Sequence, residues 1–507
     1  MRVLLATLNS KFIHSNLAIR YLYEASNDSR ENITIREFTI NNSEDYMFTE
    51  LVAGNFHVVC FSCYIWNIQK TLHLCENLKK AQPNVRIVLG GPEVSYDAGE
   101  ILKANPFVDF ILIGEGEENF PKLIKNLETQ IDNGIDIGLK EEVEAIDGIA
   151  YRKDNEIIVK PQLKLIDMEK IPYPYGSGYE KDKVIYYEGT RGCPYNCSYC
   201  MSSIDKKVRS IPLDRLKKEM KRFLDENVKQ VKFLDRTFNW DKERSDEIFA
   251  FLIENDNGST NFHFEICADN LTEKTFEILK HGRKGLFQFE IGIQSTNQQT
   301  LDSVNRSSDN VKLLDNVTKI INMKNIHTHV DLIAGLPFET YEIFGHSFDQ
   351  VFGLRADALQ LGFLKLLKGT KIRNEEKLHE YKYDEIAPYQ VISNKYITAY
   401  EIAKLKMIEN ILDIYCNKGG YETSLEAIIK HYKRPFEFFE EFSAYYYKKG
   451  FQNRSHKKED QYRILNNFVV DELKIPEITK DITKDLEVTM NFDAVKKFFR
   501  KGWQIND

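Results

Sequence analysis

The sequence predicts an α/β protein: an N-terminal Rossmann-like parallel sheet, a central partial (β/α)6 TIM-like barrel and a C-terminal helical domain. Short β-rich segments alternate with helical patterns twice along the chain, and the second alternation has the longer period. Such alternation is typical of parallel sheets with crossover helices. The chain has 507 residues, of which 42% are hydrophobic, and this length is enough for about three domains.

The first alternation covers residues 1–130. Its predicted strands are RVLLATL, ITIREFTI, HVVCFSCYI, RIVLGG and DFILIGEGE, which read as the continuous apolar runs of a sheet covered on both faces. Ligands of such sheets bind at the carboxyl ends of the strands. The candidate ligand-binding residues of this domain are therefore Asn9, Ser10, Ser62, Gly90, Gly91, Gly114, Glu115, Gly116 and Glu117.

Residues 131–179 have a different character and are predicted to form a linker. IAYR and IIVK flank Lys153-Asp154-Asn155, which indicates a hairpin, and the Pro/Gly-rich IPYPYGSGY follows. The linker separates the two alternating regions of the chain.

The second alternation, residues 180–375, predicts the partial barrel. Its six strands are VIYYEGTRG, VKQVKFLDRTF, FHFEICAD, LFQFEIGIQS, HTHVDLIAGLP and ALQLGFLKLL. Functional groups of such barrels lie at the C-terminal ends of the strands. Residues 376–507 then become helical and aromatic, and one predicted helix face carries Ile408, Ile411, Leu412 and Tyr415.

Composition excludes several classes of protein. The net charge of −8 argues against a general electrostatic footprint for nucleic acid. The sequence has no run of about 18 apolar residues and no signal-peptide core, so we expect a cytoplasmic protein without a transmembrane segment. Eight cysteines in such a chain do not indicate a disulfide framework, and clustered ones are better explained as metal ligands or redox groups.

The segment RGCPYNCSYC, just after the first barrel strand, contains such a cluster. It places Cys193, Cys197 and Cys200 at a C-x3-C-x2-C spacing. A structural zinc site requires four ligands, and the sequence shows neither a second cysteine pair nor a nearby histidine. A 4Fe-4S cluster held by three cysteines keeps one iron open, as a catalytic site requires. An open iron is easily oxidised, so we expect an oxygen-sensitive protein.

This motif, with Tyr199 before the last cysteine, closely resembles that of the radical S-adenosylmethionine (SAM) superfamily. The resemblance implies that the open iron binds the amino and carboxylate groups of SAM. It further implies that one electron, from a low-potential donor such as flavodoxin or ferredoxin, cleaves SAM to a 5'-deoxyadenosyl radical.

The same resemblance implies SAM-binding positions at other strand ends. Asp235-Arg236-Thr237-Phe238 stands where relatives carry a turn for the methionine amino group, although that turn is usually glycine-rich. Barrel packing or turn geometry is the alternative for each position. The SAM-binding positions that the resemblance implies are Tyr199, Asp235, Glu265, Asp269, Gln294, Ser295 and Gly335.

An open parallel sheet ahead of such a barrel resembles the cobalamin-binding subfamily. The resemblance implies that Gly90-Gly91-Pro92 and the G-E-G-E turn at residues 114–117 surround the corrin and its nucleotide tail. NSKFIHSNL lacks the aspartate and glycine of the D-x-H-x-x-G loop of many cobalamin proteins, so we expect His14 to be a loop residue and not an axial ligand. Cys60 and Cys63 could suggest a redox pair, but Cys60 lies in an apolar run and we expect a buried small side chain.

The resemblance leads to several hypotheses for the function. The first is a cobalamin-dependent radical SAM enzyme that methylates an unactivated carbon of a small-molecule substrate. The alternatives are cyclisation or rearrangement of a tetrapyrrole- or lipid-like substrate, as in the anaerobic magnesium-protoporphyrin ester cyclase, and a methylthiotransferase-like activity. A sensor or carrier of cobalamin or a cluster, without turnover, is a hypothesis of another class. In the methyltransferase and cyclase hypotheses, the C-terminal domain would cover the barrel mouth.

Overall fold

The structure, a computed structural model, describes residues 1–132, 141–153 and 156–503. Part of the predicted linker and the hairpin residues Asp154 and Asn155 lie outside the described residues. The predicted fold class is confirmed: a mostly parallel N-terminal sheet is followed by a six-stranded parallel sheet and a helical C-terminal region.

The N-terminal sheet has the strand order β2-β1-β3-β4-β5-β6-β7. Strands β1 to β5 are parallel, and the order reverses between β1 and β3, which creates a crevice at their carboxyl ends. The strands are β1 Val3–Asn9, β2 Ile33–Thr39, β3 Val58–Ser62, β4 Arg86–Gly90, β5 Phe110–Leu112, β6 Ile149–Lys153 and β7 Glu156–Lys160. The helices are α1 Leu17–Ala25, α2 Glu44–Gly54, α3 Ile68–Ala81, α4 Pro92–Ser95, α5 Ala98–Ala104, α6 Asn119–Asp132 and α7 Glu141–Glu144.

The predicted hairpin is formed by β6 and β7, and it belongs to this sheet. Strand β6 pairs antiparallel with β5, and Ile149, Ala150 and Tyr151 are buried in the contact. Without the hairpin, β5 would leave an unpaired edge with open backbone groups. The segment predicted as a linker therefore also completes the first sheet.

The second sheet has the order β15-β14-β13-β12-β11-β8, with all neighbours parallel. Its strands, with the short pair β9 and β10, are β8 Ile185–Tyr187, β9 Thr190–Arg191, β10 Arg209–Ser210, β11 Gln230–Phe233, β12 Asn261–Ile266, β13 Phe287–Gln294, β14 His327–Ala334 and β15 Ala358–Phe363. Its helices are α8 Leu213–Asp225, α9 Lys242–Glu254, α10 Glu273–Leu279, α11 Gln298–Ser303, α12 Asn310–Met323 and α13 Tyr341–Gly353. These six units form the predicted partial barrel.

The helix-facing and inner sides of the barrel strands differ in chemistry. Successive side chains of β13 alternate between buried and half-buried, as in β14 from Thr328 to Ala334. The buried set is apolar and packs against the helices; Phe264, for example, contacts Phe233 and Phe238 at ring-centroid distances of 4.7 and 4.2 Å. The opposite set, which includes Glu290 and Asp331, is mostly polar and faces the barrel interior.

The C-terminal region becomes helical later than the sequence predicts. After the short helix α14 Lys371–Asn374, this region begins with a two-stranded pair, β16 Lys382–Tyr383 and β17 Val391–Ser393. The long helices start at Ala399: α15 Ala399–Leu412, α16 Glu422–Ile429, α17 Pro435–Lys448, α18 Lys458–Asn467, α19 Thr479–Thr489 and α20 Phe492–Lys501. No helix in the described part of the chain is both long and apolar enough to cross a membrane.

Two parts of the C-terminal region contact the barrel in different ways. The β16–β17 segment lies at the rim, where Tyr381 and Asn394 donate hydrogen bonds to the Gly335 carbonyl at 3.0 and 2.9 Å. The residues just after α15 contact the edge strand β15: the Leu359 amide donates to Asn417 Oδ1 at 3.0 Å, and Asn417 Nδ2 donates to the Leu359 carbonyl at 2.9 Å. The part of the C-terminal region that contacts the barrel rim is therefore the β16–β17 segment. It comes before the long helices, which we expected to cover the barrel mouth.

Candidate functional site

The three-cysteine loop leaves the barrel at the carboxyl end of β8. Strands β9 and β10 pair antiparallel and so close the base of the loop formed by residues 192–208. Within it, the Cys193 amide donates to the Asp205 carbonyl at 3.0 Å. Cys193 and Cys197 are each 7% exposed, whereas Cys200 is half-buried. The loop therefore presents its sulfurs at the C-terminal rim, close to the molecular surface on the Cys200 side.

Two side chains lie against these sulfurs: Thr237, from the turn implied to hold the methionine amino group, and Arg306, which was not predicted from the sequence. Thr237 Oγ1 is 3.7 Å from Cys193 Sγ, and Arg306 Nη1 is 3.9 Å from Cys197 Sγ. Arg306 also donates to the Tyr199 hydroxyl at 3.4 Å and to the Gly292 carbonyl. Arg306 lies in the loop after α11, beyond the end of β13. The sequence indicated Arg306 only as a positively charged residue beyond the end of a barrel strand.

Arg306 combines a positive charge with an unused donor. Burial opposes its charge, but the neighbouring Tyr199 and Cys197 raise the pKa of the guanidinium further above its usual value. Its Nε is buried and has no hydrogen-bond partner among the described residues. The chemistry of this group suits an anionic ligand beside the cysteine loop.

The donor set fits a 4Fe-4S cluster better than a single metal ion. All three cysteines are free thiols. In the described ranges, no three Cys, His, Asp or Glu side chains are close enough to share one metal ion. In a 4Fe-4S cluster each cysteine binds a different iron atom, so the three sulfurs do not have to meet at a single metal ion.

The inner wall of the barrel is strongly polar. Glu290 accepts hydrogen bonds from Lys232 at 3.2 Å and His263 at 2.9 Å, and these partners overcome burial and lower the pKa of Glu290 to about 2. Burial and the charges of Glu290 and Glu265 raise the pKa of Asp331 to about 8. The wall therefore holds one ionised carboxylate, Glu290, which is paired with Lys232, and one carboxyl group, Asp331, whose pKa lies above neutral pH.

Apart from Tyr199, whose hydroxyl accepts from Arg306, the SAM positions implied by the resemblance fall into two groups. Asp235, Asp269 and Ser295 are engaged within the protein, and Gly335 forms the turn that packs against β17. Gln294 and Glu265 face the interior, and Gln294 Oε1 is buried and has no partner among the described residues. An orphaned buried acceptor fits a polar ligand in the barrel.

Asp235 is the clearest member of the engaged group. It is 1% exposed, and its Oδ1 accepts from the Gly189 amide at 2.7 Å while Oδ2 accepts from the Thr190 hydroxyl at 2.9 Å. Burial raises the pKa of Asp235 to about 7 despite these hydrogen bonds. The contacts brace the chain just before the cysteine loop.

Most polar candidates of the N-terminal domain lie around the crevice between β1 and β3. Asn9 ends β1 and is 5% exposed, with its amide donating to Glu37 and the His14 carbonyl; Ser62 ends β3 and is 8% exposed. Ser10, Gly90 and Gly91 are half-buried. Gly91 has φ 104°, and a Cβ there would lie 2.6 Å from the Cys63 carbonyl oxygen, so the turn itself requires glycine.

A flat aromatic pair at this crevice was not identified from the sequence. Tyr64 and Trp66 stack at 4.4 Å with an angle of 4° between their planes, and Trp66 is 45% exposed. The indole Nε1 donates to the Leu8 carbonyl at 3.1 Å, which fixes the ring over the end of β1. The open face of such a pair fits a planar ligand.

The G-E-G-E turn after β5 reaches the barrel. Glu115 forms ion pairs with Arg191 and Arg209, and Glu117 pairs with Arg191. Gly114, with φ 78°, and Gly116 shape the turn against Gln162 and Leu22. Both carboxylates predicted to surround cobalamin are thus used in contacts with the ends of the cysteine loop.

The histidine and the N-terminal cysteines behave as loop and core residues. His14 Nδ1 lies 2.6 Å from the Tyr186 hydroxyl of β8, at the contact between the domains. Cys60 and Cys63 are both buried, and burial raises the pKa of each thiol. They belong to different hydrophobic clusters on opposite faces of the sheet, so they do not form a redox pair.

Comparison with protein families assigns three regions of the chain. Residues 3–124 match the B12 binding domain, residues 187–351 match the radical SAM superfamily, and residues 377–503 match a family described as a protein of unknown function, DUF4080. The first match covers β1 to β5, the second extends from the end of β8 into α13, and the third covers the C-terminal region from β16 onward.

Two curated relatives match more than half of this chain. The cobalamin-dependent radical SAM methyltransferase TokK of Streptomyces tokunonensis is 30% identical over 350 residues, 64% of this chain and 49% of that protein. The 2-(S-pantetheinyl)-carbapenam-3-carboxylate methyltransferase of Streptantibioticus cattleyicolor is 27% identical over 315 residues, 58% of this chain and 45% of that protein. The chain thus spans about half the length of these relatives.

A solved structure matches the whole architecture. The cobalamin-dependent SAM radical enzyme OxsB, with aqua-cobalamin bound, superposes with a TM-score of 0.65 over 99% of this chain and 84% of OxsB, at 12% identity. At that identity the likeness concerns the fold alone. The family matches and the cysteine loop together show that the chain contains an N-terminal B12-binding domain followed by a radical SAM domain.

Proposed function

We propose that this protein is a cobalamin-dependent radical SAM enzyme that transfers a methyl group to an unactivated carbon. The observation that supports this most is the contact between the two cofactor-binding edges. Glu115, at the carboxyl end of the first sheet, pairs at 2.8 Å with Arg209, at the base of the cysteine loop. A corrin at the first edge and a cluster at the second would therefore share one interface, which suits a reaction that uses both.

The barrel side offers groups for both the cluster and SAM. Cys193, Cys197 and Cys200 would hold three irons. When bound, the cluster supplies the electron that cleaves SAM, and cobalamin supplies the methyl carrier. Arg306, whose Nη1 lies beside Cys197 and whose Nε has no partner among the described residues, would bind the SAM carboxylate. Gln294, with its free buried Oε1, would accept a hydrogen bond from SAM.

On the N-terminal side, the crevice would hold cobalamin. Ser10, Ser62 and Gly90 line its edge with small side chains, so a bulky ligand can approach the backbone. The exposed face of Trp66 would pack against the corrin plane. Glu115 pairs with Arg191 and Arg209, and Glu117 pairs with Arg191 through Oε1 and leaves Oε2 without a partner among the described residues.

The proposed electron donor is a low-potential protein such as flavodoxin or ferredoxin. Cys200 is the most accessible of the three ligands, and the adjoining loop exposes Ile204, Lys206 and Lys207. A basic rim around a small apolar spot suits an acidic donor. The proposed substrate is a small molecule with polar groups, because Lys232 and Glu290 line the barrel interior.

Anaerobic incubation of the reconstituted protein with cobalamin, a reductant, methyl-labelled SAM and cell extract tests this function. We expect the label to enter a small molecule, with 5'-deoxyadenosine as co-product. Cys197→Ala should abolish both products. Cys416→Ala, which removes a thiol far from the loop in sequence and in the fold, should retain them.

The other outcomes have distinct meanings. If 5'-deoxyadenosine forms while no label leaves SAM or methionine, the reaction is a cyclisation or rearrangement and methyl transfer is wrong. If protein that contains both cluster and cobalamin forms neither a labelled molecule nor 5'-deoxyadenosine with any extract, the protein is a carrier or sensor and not an enzyme.

A further inference from the structure

The ends of the cysteine loop carry two arginines that reach the other domain. Arg191 in β9 and Arg209 in β10 sit side by side, because the two strands pair with Arg209 opposite Arg191. Both guanidinium groups point to the G-E-G-E turn that follows β5. The residues between them, 192–208, include all three cysteines.

The contacts are multiple and directional. Arg209 Nη2 donates to Glu115 Oε1 at 2.8 Å and Nη1 donates to Oε2 at 3.1 Å, a bidentate pair. Arg191 Nη1 donates to the same Glu115 Oε1 at 3.2 Å, and its Nη2 donates to Glu117. Planar, bidentate pairing fixes orientation as well as distance.

The network is shielded from water. The exposed fractions are 13% for the Arg191 side chain, 11% for Arg209, 14% for Glu115 and 6% for Glu117. Arg191 also pairs with Glu188 at 2.9 Å and Arg209 with Asp205 at 2.8 Å, so each arginine would keep an acidic partner if one glutamate were replaced. Breaking one buried pair of the network still costs more than breaking a surface ion pair. The turn is also braced from behind, since the Ile166 amide donates to Glu115 Oε2 at 2.7 Å.

The network extends to the first cysteine. Arg209 Nη2 also donates to Asp205 at 2.8 Å, and the Asp205 carbonyl accepts the Cys193 amide at 3.0 Å. A shift of Arg209 is therefore transmitted to the backbone that carries Cys193.

We propose that Glu115 and Glu117 are positioning residues for the iron-sulfur cluster: through Arg209 and Arg191 they tie the cysteine loop to the B12-binding domain. This inference rests on the proposed function, because it assumes a cluster on the loop. It gives the acidic turn a role on the barrel side of the interface.

Glu115→Gln and Glu117→Gln test the proposal, with Asp109→Asn as the matched control. Asp109 precedes β5, is 16% exposed and pairs with Lys79 and Arg86, each at 2.9 Å, within the N-terminal domain. The holoproteins are compared by electron paramagnetic resonance of the reduced cluster with and without SAM, and by the rate of iron loss to a chelator. Urea unfolding of the cluster-free proteins measures the general loss of stability.

We expect both glutamine variants to lose iron at least about tenfold faster than wild type and to show an altered SAM-induced spectrum, because a buried pair is broken beside the loop. Asp109→Asn should lower stability without either effect. Arg209→Lys keeps the charge but not the bidentate geometry, so its iron loss should be intermediate.

The proposal is overturned if the glutamine variants unfold more easily but keep the wild-type spectrum and rate of iron loss, as the control does. If a glutamine variant does not fold, Arg209→Lys takes its place: faster iron loss than wild type supports the proposal, and wild-type iron loss overturns it. Wild-type protein that binds neither cluster nor corrinoid would instead refute the proposed function, and the two failures are therefore distinguishable.

Discussion

Asp235→Asn tests the role that the structure gives to the residue before the cysteine loop. Burial raises the folded pKa of Asp235 to about 7 from an ordinary value of 3.8. Between these values the unfolded carboxyl is ionised and the folded one keeps its proton, so this group's contribution to stability is full below pH 3.8 and is lost as the pH rises to 7. The change is about 1.4 kcal/mol per pH unit, or about 3 kcal/mol from pH 5 to pH 8.

Asparagine resembles the neutral acid. Its oxygen can accept the Gly189 amide, and its amide can donate to Thr190 Oγ1, whose oxygen now lies 2.9 Å from Oδ2. We therefore expect Asp235→Asn to lie within about 1 kcal/mol of wild type at pH 5. At pH 8 it should be the more stable protein by about 2 kcal/mol.

Urea unfolding of the cluster-free proteins at both pH values measures this reversal. Thr190→Val is the control, because it removes one hydrogen bond and leaves the carboxyl; it should be destabilised by about 1 kcal/mol at both pH values. If Asp235→Asn differs from wild type equally at pH 5 and pH 8, the account of the buried carboxyl is wrong. If it leaves stability unchanged and abolishes SAM binding, Asp235 is a ligand-binding residue and not a brace.

Three further changes probe the cluster side, the barrel core and the C-terminal contact. Arg306→Gln should weaken SAM binding about 10- to 100-fold with unchanged iron content, since a charge-assisted hydrogen bond is lost; equal SAM affinity in equilibrium dialysis would contradict the proposed contact. Phe264→Ala, at a site with no exposed surface, should lower the free energy of unfolding by about 3–5 kcal/mol, whereas Phe492→Ala, at a side chain that is 71% exposed, should change it by less than about 0.5 kcal/mol. Similar losses of unfolding free energy in Phe264→Ala and Phe492→Ala would show that burial of Phe264 does not determine its contribution to stability. Asn417→Ala should cost about 1–2 kcal/mol and speed hydrogen exchange at Leu359; unchanged exchange would show that Asn417 does not protect the edge strand.

The features that the sequence predicted well are encoded locally. Strand runs such as RVLLATL and FHFEICAD carry their own hydrophobic pattern, and the three cysteines lie within eight residues. The start of the C-terminal helices was misjudged because β16 and β17 are only two and three residues long and are stabilised by the Gly335 turn and not by their own pattern.

The features that the sequence could not provide depend on contacts between distant segments. Arg306 is 109 residues from Cys197, and Glu115 is 94 residues from Arg209. A strand-end position shows that a side chain lies at the rim, but it does not show whether the side chain faces a ligand or a protein partner. Asp235 and Glu115 were both assigned to ligands for this reason, and the structure gives both of them protein partners.

Detection of 5'-deoxyadenosine most directly tests the central claim that the three-cysteine loop holds a cluster that cleaves SAM. Reconstituted wild-type protein and Cys197→Ala would be reduced without oxygen, incubated with SAM and analysed by mass spectrometry. The account predicts 5'-deoxyadenosine from wild type and none from Cys197→Ala. Equal formation by the two proteins, or none from wild type that contains a complete cluster and corrinoid, would contradict it.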